Sequence, residues 1–79
     1  LLVNMRVKDK LAAREDADVV AAAKEVEDAL GEEGRLLLRE SGTEPLIRVM
    51  VEAKTDELCR ENVYKIIDVL KQKGHEDVK

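Results

Sequence analysis

Arg39, Ser41, Gly42, Thr43 and Arg48 crowd into one short stretch of this chain, and together they have the donors to hold an oxyanion. Each guanidinium presents a planar fork that matches two oxygens of a phosphate or carboxylate. The Ser41 and Thr43 hydroxyls add neutral donors, and Gly42 lets backbone N–H groups come close to a bound oxygen cluster. Glu44 lies in the same stretch, where it either shapes the turn and tempers the positive charge or serves as an accessory ligand contact. The stretch is not a nucleotide P-loop. It lacks the Gly-x-x-x-x-Gly-Lys-Ser/Thr spacing, and the pattern after it is that of a strand, not of a helix.

Two strands must carry these residues. Residues 35–40 and 46–54 read as extended runs, and the intervening Ser-Gly-Thr-Glu-Pro is turn chemistry, with Gly42 permitting positive φ and Pro45 pushing Glu44 toward extended backbone. If Arg35 sits opposite Glu52, the same register pairs Leu36 with Val51, Leu37 with Met50 and Leu38 with Val49, all sensible cross-strand neighbours. A slip of one residue would turn the apolar side chains to the wrong face. That register also sets Arg39 directly across from Arg48. Like charges opposed across a sheet destabilise it, so folding alone gives no reason for the pair. An anion between them converts the repulsion into two charge-assisted contacts.

The rest of the chain supplies the scaffold. Alternation from Leu1 to Lys8 has the period of a strand. Residues 16–30 switch to helical spacing, with Val19, Ala22, Ala23, Val26, Ala29 and Leu30 on one stripe. Glu15, Asp16 and Asp18 crowd its first turn, where the helix dipole favours them, and Gly31 is its stop. A second helix is predicted over 56–72, capped by Thr55 or Asp56, with Cys59, Val63, Ile66, Ile67 and Leu70 buried and a Glu61–Lys65 surface pair. Residues 9–14 are left as a loop. Gly74 ends the second helix, and 75–79 reads as a frayed tail, with His75 far from any acid or nucleophile. The fold class is α+β, in the order β-α-β-β-α: a mainly antiparallel sheet with two helices packed on one face, and a single domain over 1–74. Leu37 and Met50 share the arginines' face, which the helices leave open, either for a neighbouring domain or as a shallow patch of the monomer.

Composition narrows the function. The net charge of −4 argues against a nucleic-acid module, which needs a basic face, and a sole aromatic, Tyr64, cannot provide stacking for RNA. One cysteine, Cys59, forms no internal disulfide, as expected of a cytoplasmic protein. The longest apolar run, 19–23, is far shorter than the ~20 residues a membrane span requires. No Cys/His pattern marks a metal site. The strand pattern is already under way at Leu1, with no initiator Met, as in a fragment of a longer chain.

The stretch 34–52, and above all Arg39-Glu40-Ser41-Gly42-Thr43-Glu44-Pro45-Leu46-Ile47-Arg48, resembles the phosphate-binding segment of the α-D-phosphohexomutases. Asn4-Met5-Arg6-Val7-Lys8-Asp9-Lys10 is similar to the strand that opens the C-terminal domain of the same enzymes. The likeness covers residues 1–70 and is closest to the branch that interconverts glucosamine 6-phosphate and glucosamine 1-phosphate, a step toward peptidoglycan precursors. The resemblance implies a phosphoglucomutase C-terminal-domain fold, similar to that of the TATA-box-binding protein. It implies Arg39, Ser41, Gly42, Thr43 and Arg48 as ligands of the substrate phosphate that is not being transferred. It also implies partners in a phosphosugar and in other domains of one chain, which would hold the catalytic phosphoserine and Mg²⁺. No catalytic residue, metal or cofactor falls in these residues themselves. Two alternatives stay open: the same role in a phosphomannomutase or phosphoglucomutase, or a non-catalytic ligand-binding or dimerisation module of split β-α-β type.

Overall fold

A computed structural model describes residues 1–77. Three strands, β1 (Leu2–Arg6), β2 (Arg35–Glu40) and β3 (Leu46–Glu52), form one antiparallel sheet in the order β1-β3-β2. The β2–β3 register is the one that the side-chain chemistry predicts: Arg35 faces Glu52, Leu37 faces Met50 and Arg39 faces Arg48. Alternate residues point inward, so Leu36, Ile47, Val49 and Val51 are buried while Arg35, Arg39, Arg48 and Glu52 stay exposed.

Two long helices, α2 (Ala17–Leu30) and α3 (Asp56–Gln72), cover that inner face. Asp16 caps α2, accepting from the Asp18 N–H at 2.8 Å, and Gly31 ends it at φ 58°, a conformation costly for any residue with a Cβ. A 3₁₀ turn, Gly31–Glu33, leads to β2. Gly34 there has ordinary extended dihedrals, but a Cβ on it would lie 2.5 Å from the Glu52 carbonyl oxygen. Close approach of two backbones, not φ, demands the glycine. Thr55 caps α3 through the Leu58 N–H, and the predicted stripe of Cys59, Val63, Ile66, Ile67 and Leu70 is buried. Each fully buried aliphatic side chain contributes about 1.5–3 kcal/mol, which lets a core without aromatic residues hold together.

Four expectations need correction. Residues 10–15 are a third helix, α1 (Lys10–Glu15), not a loop: the Asp9 carboxylate accepts from the Leu11 and Ala12 N–H groups, both at 3.1 Å. Ala29 falls outside the buried stripe of α2 and is exposed. Glu61 and Lys65 form no ion pair, as both heads stay in water, where such a pair gains little. His75 to Asp77 are not frayed. Gly74 at φ 75° turns the chain back, Val7 bridges Glu76, and the Asp77 N–H donates to the Arg6 carbonyl at 2.9 Å. Residues 78 and 79 of the expected tail lie outside the described residues.

The same turn gives His75 the acid that the linear order hides. Its Nε2 lies 2.7 Å from Asp16 Oδ2, and both side chains are only 16% exposed. The hydrogen bond from His75, with that from the Asp18 N–H, holds the Asp16 carboxyl below its ordinary value. Beside it, Lys73 is held above its ordinary value by its hydrogen bond to Asp18, 2.9 Å away. This cluster ties the end of α3 to the start of α2.

Candidate functional site

The open face of the sheet is ordered in rows across the strands. At one end Arg35 meets Glu52 at 3.3 Å, a complementary pair. Next come Leu37, Met50 and Leu2, adjacent across β2, β3 and β1. The row after that is Arg39, Arg48 and Asn4. Arg39 and Arg48 form no ion pair with any carboxylate among the described residues, whereas Arg35 and Arg14 both do. Leu2, Leu37, Arg39, Arg48 and Met50 line a shallow cavity of about 220 Å³. It has an apolar floor and two cationic groups at one end.

The loop 41–45 closes the hairpin beside this row. Ser41 N–H donates to the Leu46 carbonyl at 2.9 Å, and Leu46 N–H returns to the Glu44 carbonyl at 2.8 Å. Pro45 is held from outside, its carbonyl accepting from the Val7 N–H at 2.8 Å. The Ser41 hydroxyl oxygen accepts from the Glu44 N–H at 3.3 Å, which leaves its own proton free to donate elsewhere. The Gly42 and Thr43 N–H groups have no hydrogen-bond partner among the described residues. Exposed and consecutive, they are two free donors next to two free guanidinium groups.

Gly42 does not use the left-handed φ that its residue type permits, because the bend is made by Pro45 and the Ser41 side chain without it. An added Cβ on Gly42 would meet nothing within 4 Å, so the glycine serves no internal packing. Nor do Ser41, Gly42 and Thr43 line the cavity, whose walls are the strand residues. The arginine pair and the loop donors are thus adjoining parts, with Glu44 exposed at the tip.

Sequence reasoning missed the support beneath the loop. Lys10 Nζ donates to the Ser41 carbonyl at 2.6 Å, and Arg14 Nη1 lies 3.6 Å from Glu40 Oε1. Both come from α1. The signal was present in Asp9 followed by Lys-Leu-Ala-Ala-Arg-Glu, an N-cap and six good helix formers. Cys59 is buried as a small core residue. Among the described residues no group of three or more His, Cys, Asp or Glu side chains is placed to hold a metal ion, and no helix is long and apolar enough to cross a membrane.

Residues 2–69 match the family described as phosphoglucomutase/phosphomannomutase, C-terminal domain. Among curated proteins, the phosphoglucosamine mutase of Lachnospira eligens is 56% identical over 75 residues, covering 95% of this chain and 17% of its own length. That of Halalkalibacterium halodurans is 59% identical over 70 residues, covering 89% of this chain and 16% of its own length. That of Bacillus subtilis is 54% identical over 71 residues, 90% of this chain and 16% of its own length. The chain spans about a sixth of the length of the curated relatives it matches.

Proposed function

Because the chain belongs to the phosphoglucomutase/phosphomannomutase C-terminal domain family, we propose that its arginine row and loop hold the phosphate of a phosphosugar in a phosphoglucosamine mutase. The relatives' names support the choice of glucosamine phosphate over mannose or glucose phosphate. One observation carries the site: among the described residues, Arg39 and Arg48 oppose each other without a carboxylate partner, beside Gly42 and Thr43 amides that have no acceptor. A dianion over that row would take two guanidinium forks, two amides and the Ser41 and Thr43 hydroxyls. Glu44 would accept from a sugar hydroxyl.

The chemistry explains the need. A mutase presents either end of a bisphosphorylated sugar to one reacting centre, so the phosphate not being transferred requires a holder. Binding energy gained at that remote group positions the reacting end and lowers its barrier. Closure of such a domain over the cleft would also exclude water. In this reading the phosphoserine and Mg²⁺ that carry the transfer belong to other domains, and this domain alone has no mutase activity.

The test is a titration of inorganic phosphate, then glucosamine 6-phosphate, into the isotopically labelled chain, followed by amide resonances. Movement confined to 39–48 supports the proposal. Movement only along a sheet edge, varying with protein concentration, would replace it with a dimerisation module.

A further inference from the structure

Gly42 has neither a Cβ contact nor a left-handed φ to orient its amide, so something else must aim that donor. The Gly42 N–H belongs to the same peptide group as the Ser41 carbonyl. A trans peptide is planar, and its N–H and C=O point in opposite directions. Whatever holds the Ser41 oxygen therefore aims the Gly42 hydrogen. Lys10 Nζ is 2.6 Å from that oxygen, a short charge-assisted hydrogen bond. It reaches the loop from α1, an element that is itself anchored by the Asp9 cap at one end and by Arg14 against Glu40 at the other.

We propose that Lys10 is a positioning residue for the anion site: its ammonium pins and polarises the Ser41–Gly42 peptide so that the Gly42 N–H is presented to the phosphate. The assignment rests on the phosphate reading above. Two effects follow from the one contact. First, the peptide plane loses its freedom to flip, a freedom that a glycine without neighbours otherwise keeps. Second, a cation on the carbonyl oxygen withdraws density from the amide nitrogen and makes its hydrogen a stronger donor. Lys10 need not touch the ligand to do either. Ser41 is fixed from its other side by its N–H on Leu46, so the pinned peptide is the single one between a held residue and the free Gly42.

Inorganic phosphate at constant ionic strength is titrated into the labelled chain as wild type, Lys10→Met, Lys10→Arg and Arg48→Gln. Lys10→Met is expected to bind phosphate about three- to tenfold more weakly. It should also shift the Gly42 amide resonance in the unliganded protein and speed its hydrogen exchange, with amide dispersion elsewhere unchanged. Lys10→Arg, which keeps a cationic donor, should restore most of both. If Lys10→Met binds like wild type while Arg48→Gln does not, the proposal is overturned and the phosphate site stands. If Lys10→Met weakens binding but leaves the Gly42 resonance in place, Lys10 acts as bulk charge only and the positioning role is overturned. If wild type shows no response in 39–48, the phosphate site itself falls, and the proposal with it.

Discussion

Replacing Arg39 by Gln should make this chain more stable while weakening its hold on phosphate. In the register observed, Arg39 and Arg48 are direct cross-strand neighbours, both exposed, with no carboxylate paired to either among the described residues. Like charges so placed cost about 0.2–1 kcal/mol. Gln keeps part of the aliphatic stem over the sheet and removes the charge. For a domain of this size the gain corresponds to a rise in melting temperature of about 1–8 °C. Arg35→Gln is the internal control. It lies on the same strand and the same face, but it meets Glu52 at 3.3 Å, so its loss should lower stability by at most about 1 kcal/mol. Both effects should fade between ~0.01 M and ~1 M salt, as the screening length falls from ~30 Å to ~3 Å. Thermal melts of the three proteins at the two salt concentrations, without phosphate, measure this directly. The electrostatic reasoning is refuted if Arg39→Gln melts below wild type at low salt, or if its effect is the same at both.

The glycines separate structure from binding. Gly34→Ala forces a Cβ to within 2.5 Å of the Glu52 carbonyl oxygen and should destabilise by about 1–3 kcal/mol in urea denaturation. Gly42→Ala meets open space, so it should leave the urea midpoint in place yet weaken phosphate binding; an equal loss of stability in both would refute the distinction. Asp16→Asn keeps an oxygen for the α2 cap but removes the carboxylate that His75 and Asp18 hold below its ordinary value of 3.8. A carboxyl depressed by folding stabilises fully above its unfolded value and loses that contribution as pH falls toward the folded one. The advantage of wild type over Asp16→Asn should therefore shrink as pH falls through 3.8 and below in denaturation midpoints, and a gap that widens there would overturn the assignment.

The legible parts of this fold are those where local pattern and tertiary need coincide. Leu36, Leu38, Val49 and Val51 set the hairpin register, since a slip of one residue would turn them outward, and the opposed arginines follow from that register alone. The α3 stripe from Cys59 to Leu70 was equally plain. The misses come from contacts distant in sequence or from short elements. α1 is too brief for periodicity to show, although its Asp9 cap was readable. His75 and Asp16 are 59 positions apart and meet only because Gly74 reverses the chain. The Lys10–Ser41 contact spans 31 positions and depends on α1 existing at all. Residue type permits a positive φ at Gly42 without requiring it, and Pro45 and the Ser41 hydroxyl make the bend without it.

Tyr64 is the sole aromatic residue, half-exposed on α3 beside the edge of β1 and not among the residues that line the arginine cavity. That placement makes it an optical witness with no view of the ligand. Its emission would register unfolding or a shift of α3 against β1, but not occupancy of that cavity as such. A signal from this phenol on adding phosphate would therefore report motion relayed through the β-layer.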